Sequence, residues 1–444
     1  MRRLVAVAGC IALAIGLFVA APANAVPQYQ VQELEPVPSL FTATVPRDIA
    51  DSRQSVGSSF VYEGTELNRH ATAWDDAGEH TDIGIPSEWS EAFGVSSTGF
   101  IAGEQNTGSG TKGALWFGGQ RQTLPPLPGE PASRAYGVDA SGIAYGASLI
   151  SSTDTKAVRW IDGVPQILPG ANAMSWAFAA SDAGHAAGRR DVSTARQAML
   201  WYQDTFTVLP DLGEDFASAT NVSSNGTVCG GSINSAGFLV AVIWKPGTHD
   251  IRVLAEPDFG IFSNVWAVND QAIAVGERCL DIDCASTRAL IWIGNEVYDL
   301  NDLIPEGTGW TLGSAMGINN LGEIVGTGGR EGFQGGRGFR LTPVATSIGN
   351  GSASSVELRV TPNPLHGAAE ITWTSRAPTP AVLEVFDVAG RRIARRQFSN
   401  PAGSTERASW TDLFNANPPA PGVYVVQLRQ GGATMERARV VVIR

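Results

Sequence analysis

The stretch GINNLGEIVG, residues 317–326, reads as one β-hairpin, with apolar arms around an Asn-Asn-Leu-Gly turn. The chain writes this hairpin repeatedly. GVSSTGFIAG ends at Gly103, GVDASGIAYG at Gly146, AASDAGHAAG at Gly188, NVSSNGTVCG at Gly230 and AVNDQAIAVG at Gly276. A worn copy, DIADSRQSVG, ends at Gly57. Seven copies of a unit too small to be an active site constrain the fold before any other feature does. Such repeats are supersecondary modules that bury their apolar faces on one another.

After each hairpin comes a strand centred on an aromatic residue: Trp74, Trp116, Trp160, Trp201, Trp244 and Trp292, with Phe339 as a degenerate seventh. A turn and a Leu/Pro strand follow, as in RQTLPPLPG and TVLPDLG, and the spacing between tryptophans runs from 41 to 48 residues. Four short strands in that length make a propeller blade. The phase of the repeat bears on closure. YQVQELEPVP is a Leu/Pro strand with no hairpin before it, and GRGFRLTP is a Trp-type strand with no Leu/Pro strand after it. Joining the two ends removes the two most exposed strand edges. The expected fold is therefore all-β, a seven-bladed β-propeller over 26–345 closed by its N- and C-terminal strands. The 51 glycines, 25 prolines and 17% charged residues suit such a turn-rich protein.

The first 25 residues have the three parts of a secretory signal: Arg2-Arg3, an apolar core, and Ala23-Asn24-Ala25 as the cleavage site. VAGC at Cys10 precedes most of the apolar core, so it is not read as a lipoprotein box, and no membrane span is expected after cleavage. In an oxidising compartment Cys279 and Cys284, five residues apart in a polar loop, are expected to form a disulfide. A metal reading of Asp281 and Asp283 lacks the ligand count of a calcium loop. Cys229 occupies the place of Val56, Ala102 and Val275 in other hairpins and is read as a buried small hydrophobe.

The IN-x-x-G-x-I-x-G hairpin followed by A-x-x-W resembles the HAF family of extracellular bacterial repeats over roughly residues 28–343. Asn319-Asn320-Leu321-Gly322 with Ile324-Val325-Gly326 carries the resemblance best. It implies secretion and no defined activity. Gly230-Gly231 with Trp244 also resembles a Kelch blade, although the doublet is not kept at this position in the other units. Residues 346–355 form a Gly/Ser-rich linker. Beyond it, over 356–444, Pro362-Asn363-Pro364, Asp387, Gly390-Arg391 and Gly422-Val423-Tyr424 resemble the C-terminal sorting domain of type IX secretion cargo and its FlgD-like relatives. The resemblance implies a small immunoglobulin-like β-sandwich that the secretion machinery recognises.

Residues 355–444 hold 11 Arg, no Lys and 7 acidic residues, a balance of +4 in a chain whose net charge is −12. An acidic body argues against nucleic acid as a partner. The histidines at 70, 80, 185, 249 and 366 lack zinc-pair spacing, and no nucleophile elbow or phosphate-cradling loop appears. No catalytic residue, cofactor or metal is assigned. Loops joining strands two to three and four to one share a face and vary in length, which is the usual setting for binding. Trp89, Trp176, Trp266 and Trp310 fall in or beside the four-to-one loops. There they either stack on a sugar ring or pack between blades. The expectation is a secreted or cell-surface binder of a glycan or a surface protein. An extracellular carbohydrate-active enzyme and a structural surface protein are the alternatives.

Overall fold

The computed structural model describes most of residues 26–344, with breaks at 39–42, 64–65, 86–87, 152–153, 172–173, 258–260 and 334, together with segments of 358–443. The proposed signal segment and the linker lie outside the described residues, as do Pro362-Asn363-Pro364 and Gly390-Arg391. The chain divides into two compact units, Met1–Ala345 and Thr346–Arg444.

The first unit is all-β. Among the described residues it contains seven four-stranded antiparallel sheets, numbered here in chain order. Their first strands are Ala43–Ile49, Ser90–Val95, Ala132–Val138, Met174–Ala180, Ala217–Val222, Phe262–Val268 and Trp310–Ile318. These strands touch in series, and that of sheet seven also touches that of sheet one. Sheets one to six are each built from consecutive strands. Sheet seven takes its fourth strand, Gln28–Leu34, from the start of the chain, paired antiparallel with Arg337–Val344 from Gln28 opposite Val344 to Leu34 opposite Gly338.

The repeated tryptophans are core residues with a second task. Trp74, Trp160, Trp201, Trp244 and Trp292 are at most 1% exposed. Each indole N–H donates to a carbonyl just after the fourth strand of the preceding sheet: Trp160 to Pro125, Trp201 to Pro169, Trp244 to Pro210 and Trp292 to Ala255, at 2.7–2.8 Å. Trp74 does the same to Glu35, just after Gln28–Leu34. The Leu/Pro segment is thus the acceptor for five of the six repeated tryptophans, where a buried indole N–H left unpaired would cost about 1–3 kcal/mol; the Trp116 indole N–H is buried without a partner among the described residues.

The hairpin turns explain the Asn-x-x-Gly pattern. Asn319 Oδ1 accepts the amides of Leu321 and Glu323 and closes its own turn, and Asn269 Oδ1 treats Gln271 and Ile273 alike. The amide nitrogens of the same side chains reach outward, Asn269 to the carbonyl of Asn319 and Asn319 to that of Ala50. Asn320 donates through backbone and side chain to the Asp51 carboxylate, linking the turn of sheet seven to that of sheet one. A further tie is Arg340, 1% exposed, whose guanidinium donates to the carbonyls of Arg53, Asp75 and Asp76 and to Ser55 Oγ.

Cys229 is fully buried, and burial pushes its thiol up to about 12. Folded protein lacking residues 1–25, and with them Cys10, is expected to leave Cys229 unlabelled by a thiol reagent at pH 8, with one equivalent reacting after unfolding in denaturant. Rapid native labelling would place Cys229 outside the core.

The second unit carries a three-stranded and a five-stranded sheet. Ile371, Trp373, Leu383, Val385, Trp410, Val426 and Leu428 form one buried cluster, so the alternating strands bury a common apolar side. Tyr424 Oη donates to the carbonyl of Ala420. No helix among the described residues is long and apolar enough to cross a membrane.

Candidate binding site on the loop-rich face

Each first strand contains a β-bulge at the same place. The register steps over Arg47, Phe93, Tyr136, Phe178, Thr220, Trp266 and Met316. A bulge leaves one residue unpaired and re-aims its side chain. All seven are half-buried. They meet across sheets, with Phe93 5.3 Å from Tyr136 and Tyr136 5.9 Å from Phe178 between ring centres. The bulge also accounts for the glycine that ends every hairpin. A Cβ on Gly57, Gly103, Gly146, Gly188, Gly230, Gly276 or Gly326 would lie 1.9–2.1 Å from a carbonyl oxygen of the bulged strand.

Connections from strand two to three and from sheet to sheet hydrogen-bond to one another, away from the Asn-x-x-Gly turns. Ile261 N donates to Cys279 O, Glu331 N to Gly309 O, and Thr44 N to Gly336 O. Cys279 and Cys284 are joined on this face. In that loop the Asp281 carboxylate accepts the amides of Ala285 and Ser286. Phe238, Ile261 and Ile282, 51–79% exposed, lie in connections on the same face.

The four singled-out tryptophans are half-buried and sit at four different sheets. Trp89 immediately precedes its first strand, and Trp310 begins one. Trp176 and Trp266 lie within their first strands, Trp176 paired with Arg189 in the ladder and Trp266 at the bulge. Three carry an arginine over the ring: Arg69 over Trp89 at 5.5 Å, Arg189 over Trp176 at 4.4 Å, and Arg330 over Trp310 at 5.8 Å. Trp310 also meets Phe339 edge-on at 6.0 Å and packs against the core of sheets six and seven.

Arg189, which lies over Trp176, lines one pocket with Trp266, Phe216, Ser218, Thr220 and Gly231. Sheets one to three present a contrasting, ion-paired wall. Glu91 is bound by Arg47 and Arg69, and Glu104 by Arg134 at 2.8 Å. Burial raises the Glu104 carboxyl to about 7 against the pull of Arg134. Sequence reasoning missed both features, because the residues come from different repeats and mark no motif.

No family model matches the chain, and no curated protein matches it. Similar solved structures include TolB from Acinetobacter baumannii, with TM-score 0.37 and 10% identity over 68% of this chain and 63% of that one. The match thus spans less than two thirds of the TolB chain. A mutant of AofleA from Arthrobotrys oligospora matches at TM-score 0.32 and 8% identity, covering 63% of this chain and 92% of that one. Dimeric latent PorU from Porphyromonas gingivalis matches at TM-score 0.18 and 12% identity, covering 94% and 34%.

Proposed function

We propose that residues 26–345 form a closed seven-bladed β-propeller, secreted or held at the cell surface, that binds a glycan or protein through its loop-rich face without catalysis. Residues 356–444, after the linker at 346–355, serve as its secretion or anchoring module. Closure is supported by the pairing of Gln28–Leu34 with Arg337–Val344 and by the sheet-one carbonyls that receive Arg340. Export is supported by the signal-like first 25 residues and the Cys279–Cys284 pair.

The observation that carries the binding reading is the pocket that Trp266 lines together with Arg189, whose guanidinium lies over the Trp176 ring behind it. Half-buried aromatics fixed by neighbouring side chains offer a rigid apolar face with little entropy left to lose. Trp266→Ala and Trp176→Ala are each expected to weaken binding of a glycan-array hit about tenfold, equivalent to about 1.4 kcal/mol. Isothermal titration of the exported protein checks this. A hydrolase and lyase screen on the same material runs beside it, and release of product would overturn the binding-only reading.

A further inference from the structure

We propose that the pocket at sheet five takes the carboxylate-bearing ring of an acidic saccharide, with Arg189 receiving the carboxylate and Trp266 flanking the ring. The inference rests on the glycan-binding reading above and names the class of glycan.

Two vacancies make the pocket. At the bulge position six sheets carry Arg, Phe, Tyr, Phe, Trp or Met, whereas sheet five carries Thr220. One residue past the hairpin glycine the other sheets carry Ser58, Glu104, Ala147, Arg189, Glu277 and Thr327, and sheet five carries Gly231. The doublet Gly230-Gly231 therefore has two separate causes. Gly230 is required by the bulge, its Cβ falling 2.0 Å from Ser218 O. At Gly231 the closest atom to a Cβ is the tip of the flexible Leu239 side chain at 3.0 Å, so the missing side chain leaves space instead of relieving a backbone clash.

The groups around that space lack partners of the right kind. Arg189 Nε and Trp266 Nε1 are buried with no hydrogen-bond partner among the described residues. The acid beside Arg189, Asp191, is 4.0 Å from its Nε and is engaged by Arg196 at 3.1 Å. Arg189 thus lies over Trp176 and shares its one carboxylate, Asp191, with the closer Arg196, so the two guanidiniums together carry an excess of positive charge. A planar guanidinium held in this way matches a carboxylate, and such charge-assisted bonds are roughly twice as strong as neutral ones. The Thr220 hydroxyl is already committed to the Val265 carbonyl at 3.0 Å, so Ser218 and the indole of Trp266 supply the polar and apolar surfaces that complement a sugar ring. The −12 charge of the chain opposes an anion only weakly here, since screening cuts off distant charges within about 8 Å at physiological salt.

The test uses the exported full-length protein with three probes in titration calorimetry: tri-galacturonate, its carboxyl-reduced galactose counterpart, and triglutamate. Tri-galacturonate is expected to bind about tenfold or more tightly than the reduced probe, a difference of about 1.4 kcal/mol. Arg189→Met should abolish that preference, and Arg189→Lys should restore part of it. Trp266→Ala should weaken both saccharides. Thermal melts establish that each variant is folded, and if Arg189→Met is not, the lysine variant and the two saccharides carry the comparison. Equal binding of the acidic and reduced probes, still dependent on Trp266, overturns the carboxylate assignment and leaves glycan binding intact. Binding of triglutamate alone, or of no probe together with an array free of hits, overturns both.

Discussion

A chain lacking residues 26–36 is expected to lose most of its cooperative thermal transition and to aggregate at concentrations where the parent is soluble. The deletion removes every partner of Arg337–Val344 on its outer side. It also removes Tyr29 and Leu34, 2% and 0% exposed, and the carbonyl that receives the Trp74 indole. Losing two buried large side chains costs on the order of 5 kcal/mol or more, against a total stability for a domain of about 5–15 kcal/mol. The exposed edge is then a template for intermolecular pairing. Scanning fluorimetry and light scattering provide the measurement. A synthetic peptide covering residues 26–36 should recover part of the melting temperature in trans by strand addition. A truncated protein that melts like the parent and stays monomeric would show that the pairing contributes little.

The second large effect is expected from one methyl group. In Gly146→Ala the new Cβ would stand 1.9 Å from Arg134 O and 2.9 Å from Ala135 Cα. Neither strand can retreat easily, since the second strand of sheet three is hydrogen-bonded on both sides. Overpacking of this kind costs about 1–3 kcal/mol and occasionally more, and the backbone contact argues for the upper end. Gly329→Ala is the control, because nothing lies within 4 Å of its Cβ position. It should fall within about 0.5 kcal/mol of the parent. Urea midpoints separate the two variants, and equal midpoints would remove the steric account of the hairpin glycines.

That account also marks how far the sequence could be read. Turn chemistry and strand alternation are local, so the hairpins and the Trp-bearing strands were legible from residues such as Asn319, Gly322 and Trp244. The recurrence of the final glycine was equally legible, but its cause was not. A bulge shifts register by one residue without changing the spacing of the repeat, so Arg47, Phe93 and Trp266 carry no sign of it. Arg340 was silent for another reason: its acceptors are mostly backbone carbonyls, which every residue possesses. For the pocket, Trp176 and Trp266 were visible as tryptophans outside the core series. What joins them is Arg189 from one repeat and two absences, at Thr220 and Gly231, in another. An absence becomes informative only when the repeats are superposed in space.

The pairing of Gln28–Leu34 with Arg337–Val344 has a consequence for the order of events during synthesis. The strand made first is completed by a strand made almost last, so it must wait while six sheets are produced between them. The entropy of bringing such distant segments together is tolerable, since each doubling of the intervening chain adds only about 0.6 kcal/mol. The delay is the greater hazard, because a waiting strand edge is open to other chains. A passage that delivers the polypeptide unfolded, and releases it only when residue 344 is available, would spare Gln28–Leu34 that exposure. The composite sheet therefore makes completeness of the chain a condition of its solubility, and a ribosome or protease that stops short of Arg337 leaves a product that the cell must clear.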